Sequence, residues 1–155
     1  MSDLDRLRHS CAHVLATAIL RLWPDAQLAG GPPVESGFYY DMELDHRLTP
    51  DDFAKIEAEM KKVVKENSPF ERMVVSREEA LVLAKNGRLG GLTERSVGSK
   101  FKIDLLDSIP EGEEISIFKN NDFWDLCAGP HVGRTGNCKA HKVLSGASAF
   151  LSLIQ

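Results

Sequence analysis

With 155 residues, 43% hydrophobic and 27% charged, the chain is long enough for one domain with a real core and too apolar for disorder. A net charge of −4 argues against a domain that holds nucleic acid by itself, since phosphate neutralisation needs surplus Lys and Arg; it leaves open a nucleic acid held mainly by another domain. No apolar run approaches the ~20 residues that span a bilayer, and the charged opening MSDLDRLRHS stands where a secretory signal would be apolar, so no membrane partner and a cytoplasmic location are expected.

The first element is a helix from about Leu4 to Trp23, stopped by Pro24. Leu4, Leu7, Cys11, Val14, Leu15, Ala18 and Leu22 form one stripe at helical period, and His9, His13, Ala16 and Leu20 form a second face. A helix apolar on two sides is covered on both, so His9 and His13 are expected to look into a pocket. FYYDMEL (38–44) reads as a strand. Thr49-Pro50 opens a helix that gathers Phe53, Ile56, Met60, Val63 and Val64 on one face; Lys55, Glu59, Lys61, Lys62 and Lys65 make a solvated opposite face. Phe70 to Val75 is a strand, and Ser76 with Glu79 caps a short helix ending near Asn86-Gly87. GRLGGLTERSVGS (87–99) is expected to be a mobile loop. Short strands follow at KFKIDLL, EEISIFK, DFWDLC and AHKVLS. Helices first and strands later predict an α+β fold, a single domain with helices packed on a mostly antiparallel β-sheet.

Two motifs carry chemistry, His9-Ser10-Cys11-Ala12-His13 and Cys127-Ala128-Gly129-Pro130-His131. An i, i+4 spacing puts both imidazoles on one side of a helix. The Gly-Pro turn can fold His131 back beside Cys127. These four groups suit Zn²⁺, or could position a water and a substrate without metal. Each histidine taken singly is more often packed or solvated, and His46 and His141, which lack partners, are read that way. Cys11 falls on the core stripe as a small hydrophobe. The three cysteines, odd in number and irregularly spaced, fit free thiols in a reducing compartment. There is no G-x-S-x-G, P-loop or G-x-G-x-x-G, and H-x-x-x-H lacks the internal Glu of a metalloprotease helix. Cys127 as a covalent nucleophile beside His131 is a lesser reading.

The segments RHSCAHVLATAILRLWPDAQLAGGPPVESGFYYDMEL, LTPDDFAKIEAEMKKVVKEN, SREEAL, KFKIDLLDSIPEGEEIS and DFWDLCAGPHVGRTG resemble the editing domain of bacterial-type threonyl-tRNA synthetases, over about residues 6–145. Alanyl-tRNA synthetases and their free-standing editing relatives share the H-x-x-x-H and C-x-x-x-H pair. GFYYD and the D-x-C-x-G-P-H form at Asp125 to His131 point to the threonyl branch.

The resemblance implies hydrolysis of serine wrongly attached to threonine tRNA. A synthetic site for threonine cannot strongly reject serine, because one methyl group is worth only ~1–3 kcal/mol. His9, His13, Cys127 and His131 would line the site, and Lys102 would polarise water or stabilise developing negative charge. Tyr40 would contact adenosine or ribose, and Asp125 the serine amine or hydroxyl. Water would attack, with His9 or Lys102 handling its proton and a ribose hydroxyl helping to order it. The partner is the tRNA(Thr) acceptor end carrying serine, bound weakly and only at low salt by so acidic a domain.

The alanyl relatives hold zinc on this tetrad and the threonyl type is taken to work without it, so no cofactor is expected to be required. Zn²⁺ on His9, His13, Cys127 and His131 remains compatible with the donor types. Ala128 replaces a frequent Arg, which would weaken contact with the tRNA end, and SGASAFLSLIQ replaces the usual A-G-A-Y-W-R-G-D. The other synthetase domains are not in these residues, so no aminoacylation is expected. Abrupt ends favour an excised piece over a free-standing editor. The competing readings are a non-catalytic domain that holds a tRNA acceptor end and a zinc-site structural module.

Overall fold

The computed structural model describes residues 3–30, 33–34, 37–92, 97–127, 129–138, 142–147 and 150–154, and side chains within 3–29, 41–92, 97–127 and 129–138. Helix α1 (Asp3–Leu22) is the central element, and every residue from Ser10 to Leu20 is buried. Asp3 and Asp5 in its first turn and Arg21 in its last complement the helix dipole. Arg21 also fastens the helix end, donating to Glu66 at 2.5 and 2.9 Å and to Asp122 at 3.2 Å.

An antiparallel sheet runs in the order β1 (Gln27–Gly30), β3 (Gly37–Glu43), β9 (Phe150–Ile154), β8 (Lys142–Ala147), with β2 (Pro33–Val34) paired to the start of β3. β9 lies in the segment that departs from the resembled pattern, and it pairs with β3 from Phe38↔Leu153 to Asp41↔Phe150. Helix α2 (Pro50–Glu66) packs on α1 through Ile56, Met60 and Val63. Its start is fixed by Asp52, whose carboxylate accepts the Thr49 N–H at 2.8 Å.

A second antiparallel sheet has the order β4 (Glu71–Val75), β6 (Ile115–Asn120), β7 (Phe123–Leu126), β5 (Gly91–Leu92). Its two faces are both covered. Ile115, Ile117, Trp124 and Leu126 pack with α3 (Arg77–Lys85) and α4 (Lys100–Ser108) in one core. Phe118 and Asp125 form a cross-strand pair on the other face, as do Asn120 and Phe123, which meets α1 in the second core. The expected α+β class is therefore found, but built on two antiparallel sheets instead of one.

Two expectations are corrected. KFKIDLL is the helix α4 and not a strand. Its alternating letters mimic a strand, but the buried positions are Lys102 and Leu106, four residues apart, while Asp104, Leu105 and Asp107 are exposed. A lysine on the buried face disguised the helical period. The 87–99 stretch is also not a loose loop where it is described. Leu89 is fully buried, Gly91 and Leu92 pair with β7, and the Ser99 N–H donates to the Ala84 carbonyl at 2.9 Å. Residues 93–96 lie outside the described residues. The remaining expected helices and strands occur within a few residues of their predicted bounds. No helix among the described residues is long and apolar enough to cross a membrane.

Core packing between α1 and α2 predicts that Ile56→Ala, at a fully buried position, lowers stability by about 2–5 kcal/mol. Lys62→Ala, on the exposed face, is expected to stay within about 0.5 kcal/mol of the parent. Urea unfolding followed by circular dichroism measures both.

Candidate active site

His9 and His13 stand one turn apart on α1, and β7 delivers Cys127 to the same place. Backbone bonds anchor the thiol: Cys127 N–H donates to the Ser116 carbonyl at 3.1 Å, and Ser116 Oγ donates back to the Cys127 carbonyl at 2.7 Å. The chain then turns through a cis Gly129-Pro130 bond. Gly129 has φ +75°, and a Cβ there would lie 2.7 Å from the Phe118 ring, so no other residue fits without moving that ring. The turn returns His131 to the thiol, with Nε2 3.3 Å from Cys127 Sγ; His9 Nε2 is also 3.3 Å from that sulfur. The donor atoms of His9, His13, Cys127 and His131 all lie within 4.8 Å of one another. The two sequence motifs therefore converge.

Aromatic rings wall the cluster. His131 stacks on Phe70 at 4.8 Å and 4°, stacks on His9 at 4.3 Å, and meets the edge of Phe118 at 4.5 Å. His13 sits edge-on to Phe123 at 5.5 Å. Burial in this setting lowers the pKa of all three imidazoles. For His13 the nearby His9 and Lys102 add to the effect, and for His131 the nearby His13 and His9 do. For His9 a Pro130 carbonyl and the Asp125 charge oppose it. The rings are accordingly neutral at pH 7, with lone pairs to offer. Burial, together with the Asp125 charge, pushes the Cys127 thiol up to about 12, so it is protonated at neutral pH. That protonation weighs against the nucleophile reading, because the thiolate is the attacking species.

Behind the cluster lies a charge pair. Lys102 Nζ is 2.9 Å from Asp125 Oδ1 and donates to the Ala29 carbonyl at 2.8 Å. Asp125 Oδ2 lies 3.6 Å from His13 Nε2. Lys102 and Asp125 side chains are only 2% and 3% exposed. Gly90 covers the lysine stem: its φ is +64°, and a Cβ there would meet Lys102 Cε at 2.8 Å. Both charged groups are thus shielded from bulk water. As they stand, they support the site from beneath, through His13.

Tyr40 lies in β3 paired with Leu151, and its side chain is outside the described residues, as are Ala128 and His141. His46 is remote from the cluster, bonded to Asp52 at 2.8 Å and stacked on Trp23. Cys11 is buried in the core beside the Cys138 thiol; all three cysteines are free. Sequence reasoning missed Ser10, Phe70 and Phe118. Ser10 sits inside the first motif, and its Oγ lies 3.0 Å from His131 Nδ1. Phe118 was findable by strand alternation, since it faces the same side as Asp125.

The family described as the threonyl and alanyl tRNA synthetase second additional domain matches residues 115–149, which include Cys127 and His131. The threonine--tRNA ligase of Geobacillus kaustophilus is 49% identical over 147 residues, and that of Clostridioides difficile 50% identical over 143 residues. These alignments take in 95% and 92% of this chain. Nearly the whole chain thus resembles part of a threonine--tRNA ligase, and residues 115–149 carry the match to the second additional domain family. It spans about a fifth of the length of the curated relatives it matches, 21% in each case. Helix α1 lies outside the matched span, yet it supplies His9 and His13.

Removing one member of the buried charge pair leaves the other stranded. Lys102→Met is expected to cost about 3–5 kcal/mol, and adding Asp125→Leu should recover much of that loss. Urea unfolding of the two single variants and the double variant checks this; equal losses that simply add would refute the pairing. For Cys127, a thiol at about 12 predicts a thiolate fraction at pH 8 roughly a thousandfold below that of an ordinary cysteine. In chelator-treated protein, iodoacetamide should label Cys127 at a correspondingly slow rate, followed by mass spectrometry.

Proposed function

We propose that this domain performs hydrolytic editing for a threonyl-tRNA synthetase, releasing serine from seryl-tRNA(Thr). The observation that carries the reading is the half-buried, neutral cluster of His9, Cys127 and His131 over His13. Such a cluster offers proton acceptors and hydrogen bonds for ester hydrolysis without a strong nucleophile of its own. The similarity to threonine--tRNA ligases supports the substrate class.

In this reading the serine ester enters the cluster and a water attacks its carbonyl carbon. His9, half-exposed with a depressed pKa, takes the proton from that water, and a substrate ribose hydroxyl helps to order it. The tetrahedral oxyanion collapses, the ribose oxygen leaves with a proton, and free serine departs. Lys102 contributes fixed positive charge from beneath, and Asp125 holds both Lys102 and His13. Tyr40 contacts the terminal adenosine or its ribose. Threonine is excluded by its extra methyl group in a site walled by Phe70 and Phe118.

No metal is required in this proposal. The donor set nevertheless fits zinc, since His9, His13, Cys127 and His131 present three imidazoles and a thiol within 4.8 Å. When bound there, zinc would supply a Lewis acid that lowers the pKa of a water. The acceptor end of tRNA(Thr) is the partner, held mainly by the rest of the synthetase, in keeping with the net charge of −4.

Deacylation by the purified domain in excess, with seryl-tRNA(Thr) and threonyl-tRNA(Thr) in parallel, tests the reading. Serine should be released and threonine spared, with or without chelator. His9→Ala should slow serine release about 100–10,000-fold with the circular dichroism spectrum unchanged. No release at concentrations that saturate binding would sink the hydrolytic reading and leave a domain that only binds the tRNA end.

A further inference from the structure

Ser10 is fully buried, and its Oγ touches three polar atoms. The Arg6 carbonyl lies at 2.8 Å, the Val132 N–H at 2.9 Å and His131 Nδ1 at 3.0 Å. A hydroxyl has one proton to donate and two lone pairs to accept with. The Val132 N–H takes one lone pair. The carbonyl can only accept, so the hydroxyl proton must go to Arg6; otherwise two oxygens would face each other at 2.8 Å with no hydrogen between them. One lone pair remains, aimed at Nδ1. We infer that Ser10 is a positioning residue that holds His131 in the Nδ1–H tautomer, turning the Nε2 lone pair toward Cys127.

The other neighbours of this ring do not make that choice. Stacking on Phe70 and His9 fixes the ring plane and is indifferent to which nitrogen carries the proton. At Nε2, a thiol 3.3 Å away can donate or accept. Among the described residues, only the saturated hydroxyl discriminates. With Nδ1–H held, Nε2 is a standing acceptor, able to take a proton or a hydrogen bond from water, thiol or substrate. In the opposite tautomer both Nδ1 and the Ser10 oxygen would present lone pairs to each other, and the face toward the cluster would lose its acceptor. Ser10 belongs to α1 and His131 to the turn after β7, so the same bonds fasten the two halves of the cluster.

The catalytic consequence rests on the editing function proposed above; the tautomer does not. Long-range 1H–15N correlation spectra of histidine-labelled protein at about pH 8, above the ordinary histidine range, distinguish the two neutral tautomers. His131 is assigned by the signals lost in His131→Gln. The wild-type ring should be Nδ1–H. Ser10→Ala, which suits a helix interior, should give a mixture or the Nε2–H form and lower kcat about 10–100-fold with KM little changed. Ser10→Thr, which keeps the hydroxyl, should restore both. A wild-type Nε2–H ring, or Nδ1–H persisting in folded Ser10→Ala, would overturn the assignment. A switched tautomer with undiminished kcat would overturn its role in the reaction. If Ser10→Ala does not fold, the wild-type and Ser10→Thr spectra decide the matter. Wild-type protein with Nδ1–H fixed and no deacylation would sink the editing reading alone.

Discussion

An ammonium and a carboxylate 2.9 Å apart, both almost wholly removed from water, set the geometry around them. Either charge alone in that position is prohibitive, and the pair persists because each end finds further partners. Lys102 comes from α4 and Asp125 from β7 of the four-stranded sheet. Another lysine bond goes to the Ala29 carbonyl in β1, which belongs to the other sheet. One side chain thus ties a helix to both sheets. Gly90 makes room for its stem, and Asp125 extends the connection to His13 on α1.

On that platform the four-residue cluster is stable because it is uncharged. Three protonated imidazoles in such proximity would repel one another, and a thiolate beside Asp125 would do the same. Desolvation removes both problems by favouring neutral forms. The result is a half-exposed group of soft donors and acceptors set over a buried fixed charge. Phe70, Phe118 and Phe123 exclude water from its sides without competing for its lone pairs.

Much of this was legible in the residues. The amphipathic stripes of α1 and α2, the Ser76 cap and the alternation of β6 and β7 follow ordinary local rules, and they hold. The pairing of H-x-x-x-H with C-x-x-x-H pointed to a cluster that does assemble. Two of the failures share one origin, which is polar residues on buried faces. Lys102 made a helix look like a strand because a lysine is ordinarily counted as outward. Ser10 passed unnoticed for the same reason. Its partners, Arg6, Val132 and His131, are identifiable only after the chain has folded. The small strands β1, β2 and β5 are too short to leave a period, and Gly91–Leu92 becomes a strand only by pairing with β7.

The cluster draws His9 and His13 from the first helix and Cys127 and His131 from a point 118 residues further on, counting from His9 to Cys127. Local contacts close early and cheaply, but a loop of that length must be closed before the two halves of the site meet. During synthesis, therefore, the histidines of α1 leave the ribosome long before their partners. They wait in an unfinished core, and the cluster is complete only after the segment that carries Cys127 and His131 has followed.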